Sequence, residues 1–136
     1  MSQEATAVIE ESDVKHHEEL SFLYKYILPV DHKIIGMQYI FTGLIMAAIG
    51  GYFAYAFRMQ LAFPGEVVPL YGLVGPGEYN MLVTNHGTIM IFWVAMPVLI
   101  AGFGNYLIPL MVGARDMVFP YVNMVSFWVF FLAVVI

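Results

Sequence analysis

Three residues of this chain carry ionisable groups into or beside long apolar runs: His86, Arg58 and Asp116. Such a group is costly in an apolar span and by default marks a site. His86 lies in "YNMLVTNHGTIMIFW", with Asn80, Thr84 and Asn85 as polar neighbours. Two readings of its imidazole are open. It can bond a neighbouring helix, or it can ligate a metal or haem, because neutral imidazole coordinates iron and a helical bundle can hold a flat porphyrin. Arg58 either snorkels to a membrane interface or stands as a fixed cation beside a cofactor, holding a polar substituent and raising a reduction potential. Asp116 follows His86 by thirty residues, which is about 45 Å along a helix axis. It either pairs with the adjacent Arg115 or acts with Asn105 and Asn123, whose amides order water, to admit protons. His32, in "DHKIIG", has charged neighbours and is expected to anchor at the interface.

These side chains need helices in lipid to position them. The chain has 136 residues, 61% of them hydrophobic and 11% charged, far from the roughly 25% charged typical of soluble domains. Ten of the fifteen Asp, Glu, Lys and Arg residues lie at or before Lys33, and the other five punctuate apolar blocks. The net charge of -5 comes mostly from the first nineteen residues and points to no partner. Without cysteine there is no disulfide, zinc thiolate or iron–sulfur cluster.

The predicted fold is all-α, a polytopic transmembrane helical bundle. Residues 1–28 read as a polar tail, with His16 and His17 solvated, followed by an aromatic interfacial segment, "SFLYKYILPV". The remaining 29–136 read as the membrane domain. A first span is expected over 34–57, ended by Arg58, and about 20 apolar residues suffice to cross the hydrocarbon. Within it, Gly43, Ala47 and Gly51 recur every four residues and Gly36, Gly43 and Gly50 every seven. Either set permits close helix approach. A turn-rich loop follows over 59–79, then a second span over 80–112. Pro97 and Pro109 are expected to kink that span and end it early. A third, incomplete span is expected over 121–136. It stops without a polar flank, as in a fragment of a longer protein. Lys15, Lys25 and Lys33 precede the first span and Arg115 follows the second, which places the N-terminus and Asp116 on the cytoplasmic side.

The run "HGTIMIFWVAMPVLIAGFGNYLIPLMVGARDMVFPYVNMVSFW" resembles, without a gap, the N-terminal part of subunit I of the haem–copper oxidases, the cytochrome c oxidases best. "DHKIIG" and the first span extend the resemblance back to about residue 29. By that resemblance His86 is an axial ligand to the iron of a low-spin haem, of the haem a type. Tyr79 lies against the haem periphery, and Arg58 contacts a haem formyl group. Asp116 is the mouth of a proton pathway, with Asn105 and Asn123 as its water-ordering asparagines and Tyr39 a further pathway residue. The sequence departs from the family pattern at Ala101, Arg115, Met124, Ile34 and Gln60, the last standing where some members have a glutamate cation ligand, and loop 59–79 is longer than in mitochondrial members.

The resemblance also implies what the whole protein does. It would oxidise cytochrome c, reduce oxygen to water and pump protons, in a bacterial inner membrane with its N-terminus cytoplasmic. Its partners would be oxidase subunits II and III, cytochrome c and membrane lipid, with no nucleic acid. High-spin haem a3 and copper B would be held by residues outside this segment, which alone would be inactive. A quinol oxidase of the same superfamily is the first alternative, and a non-catalytic helical membrane subunit or channel is the second.

Overall fold

The computed structural model describes residues 23–136. The polar tail with His16 and His17 lies outside the described residues. One wide helical turn, Leu23–Ile27, precedes three helices: α1, His32–Ala62; α2, Pro76–Val112; and α3, Pro120–Val135. The described residues contain helices and turns with one isolated bridge, Val68 to Gly72, in the loop between α1 and α2. The all-α prediction holds. Both α1 and α2 are long and apolar enough to cross a membrane.

Each helix starts and stops for local reasons. α1 begins two residues before the predicted span, because the Asp31 side chain accepts the Lys33 N–H at 2.8 Å and caps it. It also runs four residues beyond Arg58, through "MQLA", all good helix formers, and stops at Phe63 before Pro64. Arg58 therefore does not end the helix. α2 starts at Pro76 and not at Asn80. Proline suits the first helical position, and the Glu78 carboxylate reaches back to accept the Gly75 N–H at 2.7 Å. The loop shrinks accordingly to 63–75. It folds onto the helices, burying Val68 and Val74 with Ala56 and Leu82, and the Tyr52 hydroxyl donates to the Pro69 carbonyl at 2.6 Å.

The early end expected from Pro97 and Pro109 does not occur, and the helix reaches the predicted limit at 112. α2 continues to Val112, where Gly113 takes φ +70° and closes it. Its central stretch, Ile89–Gly102, is wound more widely, with hydrogen bonds such as Phe103 N–H to the Val98 carbonyl. A wider turn accommodates a residue that cannot donate and whose ring crowds the preceding turn.

The two glycine spacings in α1 are not equivalent. The set every seven residues is buried against α2 in antiparallel order. A Cβ at Gly36 would lie 2.9 Å from the Gly102 carbonyl oxygen, one at Gly43 would collide with Val98, and one at Gly50 would lie 3.0 Å from Met90 Sδ. Gly51, of the four-spaced set, is exposed, with nothing within 4 Å of its Cβ position. A seven-residue stripe drifts only about 20° per heptad on an α-helix, so over two heptads these glycines stay on the seam that faces the antiparallel α2. α3 packs on the flank of α1 next to that seam, where Tyr39 meets Phe127 edge-on at 5.1 Å and Phe130 at 5.2 Å, and it touches α2 through Trp93 and Phe130. Outside these seams large apolar side chains such as Phe41, Leu44, Leu99 and Ile100 are exposed. So much bare apolar surface suits lipid or further helices, not water.

Candidate functional site

The chemistry-bearing residues divide between the two ends of the bundle. At the end carrying loop 63–75, His86 sits ten residues into α2, about three turns from its start. Its polar neighbours Asn80, Thr84 and Asn85 point outward and are exposed, whereas His86 turns partly in toward α1. There its Nδ1 lies 2.8 Å from the Gly50 carbonyl oxygen. A carbonyl can only accept, so Nδ1 carries the proton and donates. Nε2 is left as the acceptor nitrogen, with no partner among the described residues. A neutral imidazole held by its Nδ1–H, with the Nε2 lone pair available, is how a histidine ligand to a metal is oriented.

Phe57 joins His86 to Tyr79. It stands edge-on to His86 at 5.7 Å and edge-on to Tyr79 at 6.1 Å. Tyr79 in turn packs on the Ala56, Val68, Val74 and Leu82 cluster. Phe57 was not singled out from the sequence, although its place just before Arg58 put it at the same level. Arg58 is exposed and lines a groove of about 430 Å³ with Gly51, Ala54, Tyr55, Met59 and Ala62. Small residues floor it. Gly51, open above, follows directly on the glycine whose carbonyl holds His86. His86 is not among the residues lining this groove; an imidazole on α2 and a guanidinium on α1 at the same end of the bundle are the kinds of group that would hold an anionic iron porphyrin. Among the described residues no group of three or more His, Cys, Asp or Glu side chains gathers for a bare metal ion. Nearby, Gln60 offers a neutral amide whose Oε1 is buried without a partner among the described residues.

At the opposite end the structure corrects the reading of His32. It is not an interfacial anchor: it is 2% exposed, and its Nδ1 lies 3.1 Å from Asp116 Oδ1. The reason is register. As the first residue of α1 it falls on the buried stripe of Ile35, Tyr39, Thr42 and Met46, seven residues before Tyr39. The partner of Asp116 is thus His32 and not the adjacent Arg115. The same Oδ1 also accepts the Met117 N–H at 2.8 Å, while the carboxylate stays largely exposed. Asn105 is buried on α2. On α3, Asn123 Nδ2 donates to Met117 Sδ at 3.1 Å, and the Ser126 hydroxyl donates to the Asn123 carbonyl at 2.7 Å. Tyr39 OH is 3.1 Å from Ser126 Oγ. Asp116 thus meets His32, while Asn123, Ser126 and Tyr39 form a separate set of contacts, and no side-chain hydrogen bond joins Asn105 to either among the described residues. Ser126 was missed in the sequence, yet it lies one turn after Asn123 and so shares its face.

Comparison with known proteins settles the lineage. The sequence model described as "Cytochrome C and Quinol oxidase polypeptide I" matches residues 34–136. The chain belongs to this family of haem–copper oxidase subunits I. Among its relatives, "Alternative cytochrome c oxidase subunit 1" of Bradyrhizobium diazoefficiens is 41% identical over 91% of this chain and 20% of its own length. "Cytochrome c oxidase subunit 1" of Thermostichus vulcanus is 52% identical over 73% of this chain and 17% of its own. "Quinol oxidase subunit 1" of Bacillus subtilis is 45% identical over 79% of this chain and 16% of its own. The chain therefore spans about a fifth or less of the length of these relatives. These relatives are, by their names, oxidase subunits, and the two long apolar helices of this chain are able to cross a membrane.

Proposed function

We propose that this chain is the N-terminal part of the catalytic subunit of a terminal oxidase that takes electrons from cytochrome c, reduces oxygen to water and pumps protons across a bacterial inner membrane. The carrying observation is the 2.8 Å bond from His86 to the Gly50 carbonyl, which leaves Nε2 free for iron. In this reading His86 would hold the iron of a low-spin haem, of type a, as one of its ligands. Arg58, beside the small-residue groove, would meet a polar substituent of the haem, and Tyr79, packed on Phe57, would border it. Bound there, the haem supplies one-electron transfer.

The protein's own residues set the conditions. Gly50 holds the imidazole in one tautomer, and the guanidinium of Arg58 would favour the reduced state of a bound haem electrostatically. Reducing dioxygen consumes protons as well as electrons. Asp116 receives them at the cytoplasmic end, its exposed carboxylate being held by His32. Asn105, Asn123 and Tyr39 order the water that carries them inward. The high-spin haem a3 and copper B belong to later helices, and the partners are subunits II and III, cytochrome c and lipid.

The quinol-oxidase relative from Bacillus subtilis supports a second reading, in which the electron donor is a quinol and the roles of His86 and Asp116 are unchanged. The test of the ligand is His86→Ala in the whole oxidase. The reduced-minus-oxidised spectrum should lose its low-spin band, and a retained band overturns the assignment. Turnover with reduced cytochrome c against turnover with a quinol separates the two donors.

A further inference from the structure

Gly50 is more than a small residue in a helix seam. Its carbonyl, in the middle of an apolar helix, already serves the helix ladder, and its second lone pair takes the His86 Nδ1–H. That reach depends on how closely α1 and α2 approach. A Cβ at Gly50 would lie 3.0 Å from Met90 Sδ, 3.1 Å from Ile89 Cγ2 and 3.4 Å from Met90 Cγ. All three atoms belong to the turn that directly follows His86 on α2. A Cβ at position 50 therefore bears on the Ile89 and Met90 side chains of the turn next to the imidazole, which must give by a few tenths of an ångström.

We infer that Gly50 is a positioning residue for His86: its missing Cβ sets the length of the Nδ1–H to carbonyl bond and so the basicity of Nε2. The inference rests on the reading of His86 as a haem ligand. A hydrogen bond from Nδ1–H raises the basicity of the ligating nitrogen, and a more basic ligand stabilises the oxidised iron. Lengthening the bond makes the ligand weaker and moves the midpoint potential of the low-spin haem upward.

The experiment is a redox titration of the low-spin haem band in the whole oxidase carrying Gly50→Ala. The expected result is an upward shift of the midpoint with the band retained. Gly50→Ala combined with Met90→Ala removes the main steric conflict, and the midpoint should return toward the wild-type value. Gly43→Ala disturbs the same seam against Val98, one heptad from Gly50, and should leave the midpoint unchanged. An unshifted midpoint in Gly50→Ala, or equal shifts from Gly43→Ala and Gly50→Ala, overturns the inference. If Gly50→Ala blocks assembly, the added Met90→Ala should restore it; failure to do so also overturns it. His86→Ala stands apart: a retained low-spin band there defeats the ligand reading itself, while a lost band with an unshifted Gly50→Ala defeats only the role of Gly50.

Discussion

His32 Nδ1 and Asp116 Oδ1 lie 3.1 Å apart although 84 residues separate them in sequence. The contact ties the first residue of α1 to the loop between α2 and α3. It fixes the carboxylate by one oxygen, which also accepts the Met117 N–H. Asp116→Asn keeps the shape but loses the ionisable group. It should slow turnover strongly and lower the number of protons moved per electron, read by oxygen consumption and by external pH change in vesicles. Turnover and stoichiometry both at wild-type values would remove Asp116 from the proton route. His32→Ala retains the carboxylate but frees it to move, so proton uptake should slow by a smaller factor than in Asp116→Asn.

The Tyr39 to Ser126 hydroxyl contact joins α1 to α3. A bond of this kind contributes about 0.5–1.5 kcal/mol. Ser126→Ala and Tyr39→Phe should each lower stability by about that amount. The double variant should cost less than their sum, because both remove the same bond. Thermal denaturation of the detergent-solubilised protein provides the check, and strictly additive losses would mean that the bond is absent.

The two glycine sets in α1 give opposite expectations. Gly36→Ala places a methyl against the backbone of Gly102 and Tyr106, which cannot rotate away, and should destabilise by about 1–3 kcal/mol. Gly51→Ala meets no protein atom, and in the haem-free protein it should be neutral or stabilising by up to about 1 kcal/mol through helix propensity. The same melting experiment reads both variants, and equal losses would mean that the seven-residue seam does not form.

The segment before α1 is pinned at two points. Gln38 Nε2 donates to the Tyr26 carbonyl at 2.7 Å, and Trp128 Nε1 donates to the Ile27 carbonyl at 2.9 Å. Trp128→Phe keeps the ring packing against Phe127 and Phe131 but removes the donor. Cleavage by trypsin after Lys25 should accelerate in Trp128→Phe and more so with Gln38→Ala added. An unchanged rate would mean that the two bonds do not restrain the segment.

Much of this was legible in the sequence because it depends on local properties. Long uncharged runs specify helices that need lipid, whatever their partners. Pro76 and Glu78 mark the start of α2 by the ordinary rules of helix beginnings, so its early start was readable even though the turn-rich loop disguised it. Pro97 was misleading, since a proline removes a donor but a wider turn can absorb the loss without ending the helix. The candidate side chains His86, Arg58, Asp116, Asn105 and Asn123 could be named because polar groups are rare in such runs, whereas Tyr79 and Tyr39 came only from the resemblance to the oxidase family.

By itself, the sequence determined the helical, lipid-suited class of protein and the positions of the apolar helices. Composition and periodicity suffice for these. Tertiary structure decided what each histidine touches. Seven-residue and four-residue glycine spacings both exist in α1, and only the packing of α2 against it selects the first. That choice sets the register that brings the Gly50 carbonyl to His86, and the packing of all three helices brings Asp116 to His32. Contacts between residues 36 and 84 positions apart depend on how helices cross, and no local pattern along a single helix encodes a crossing.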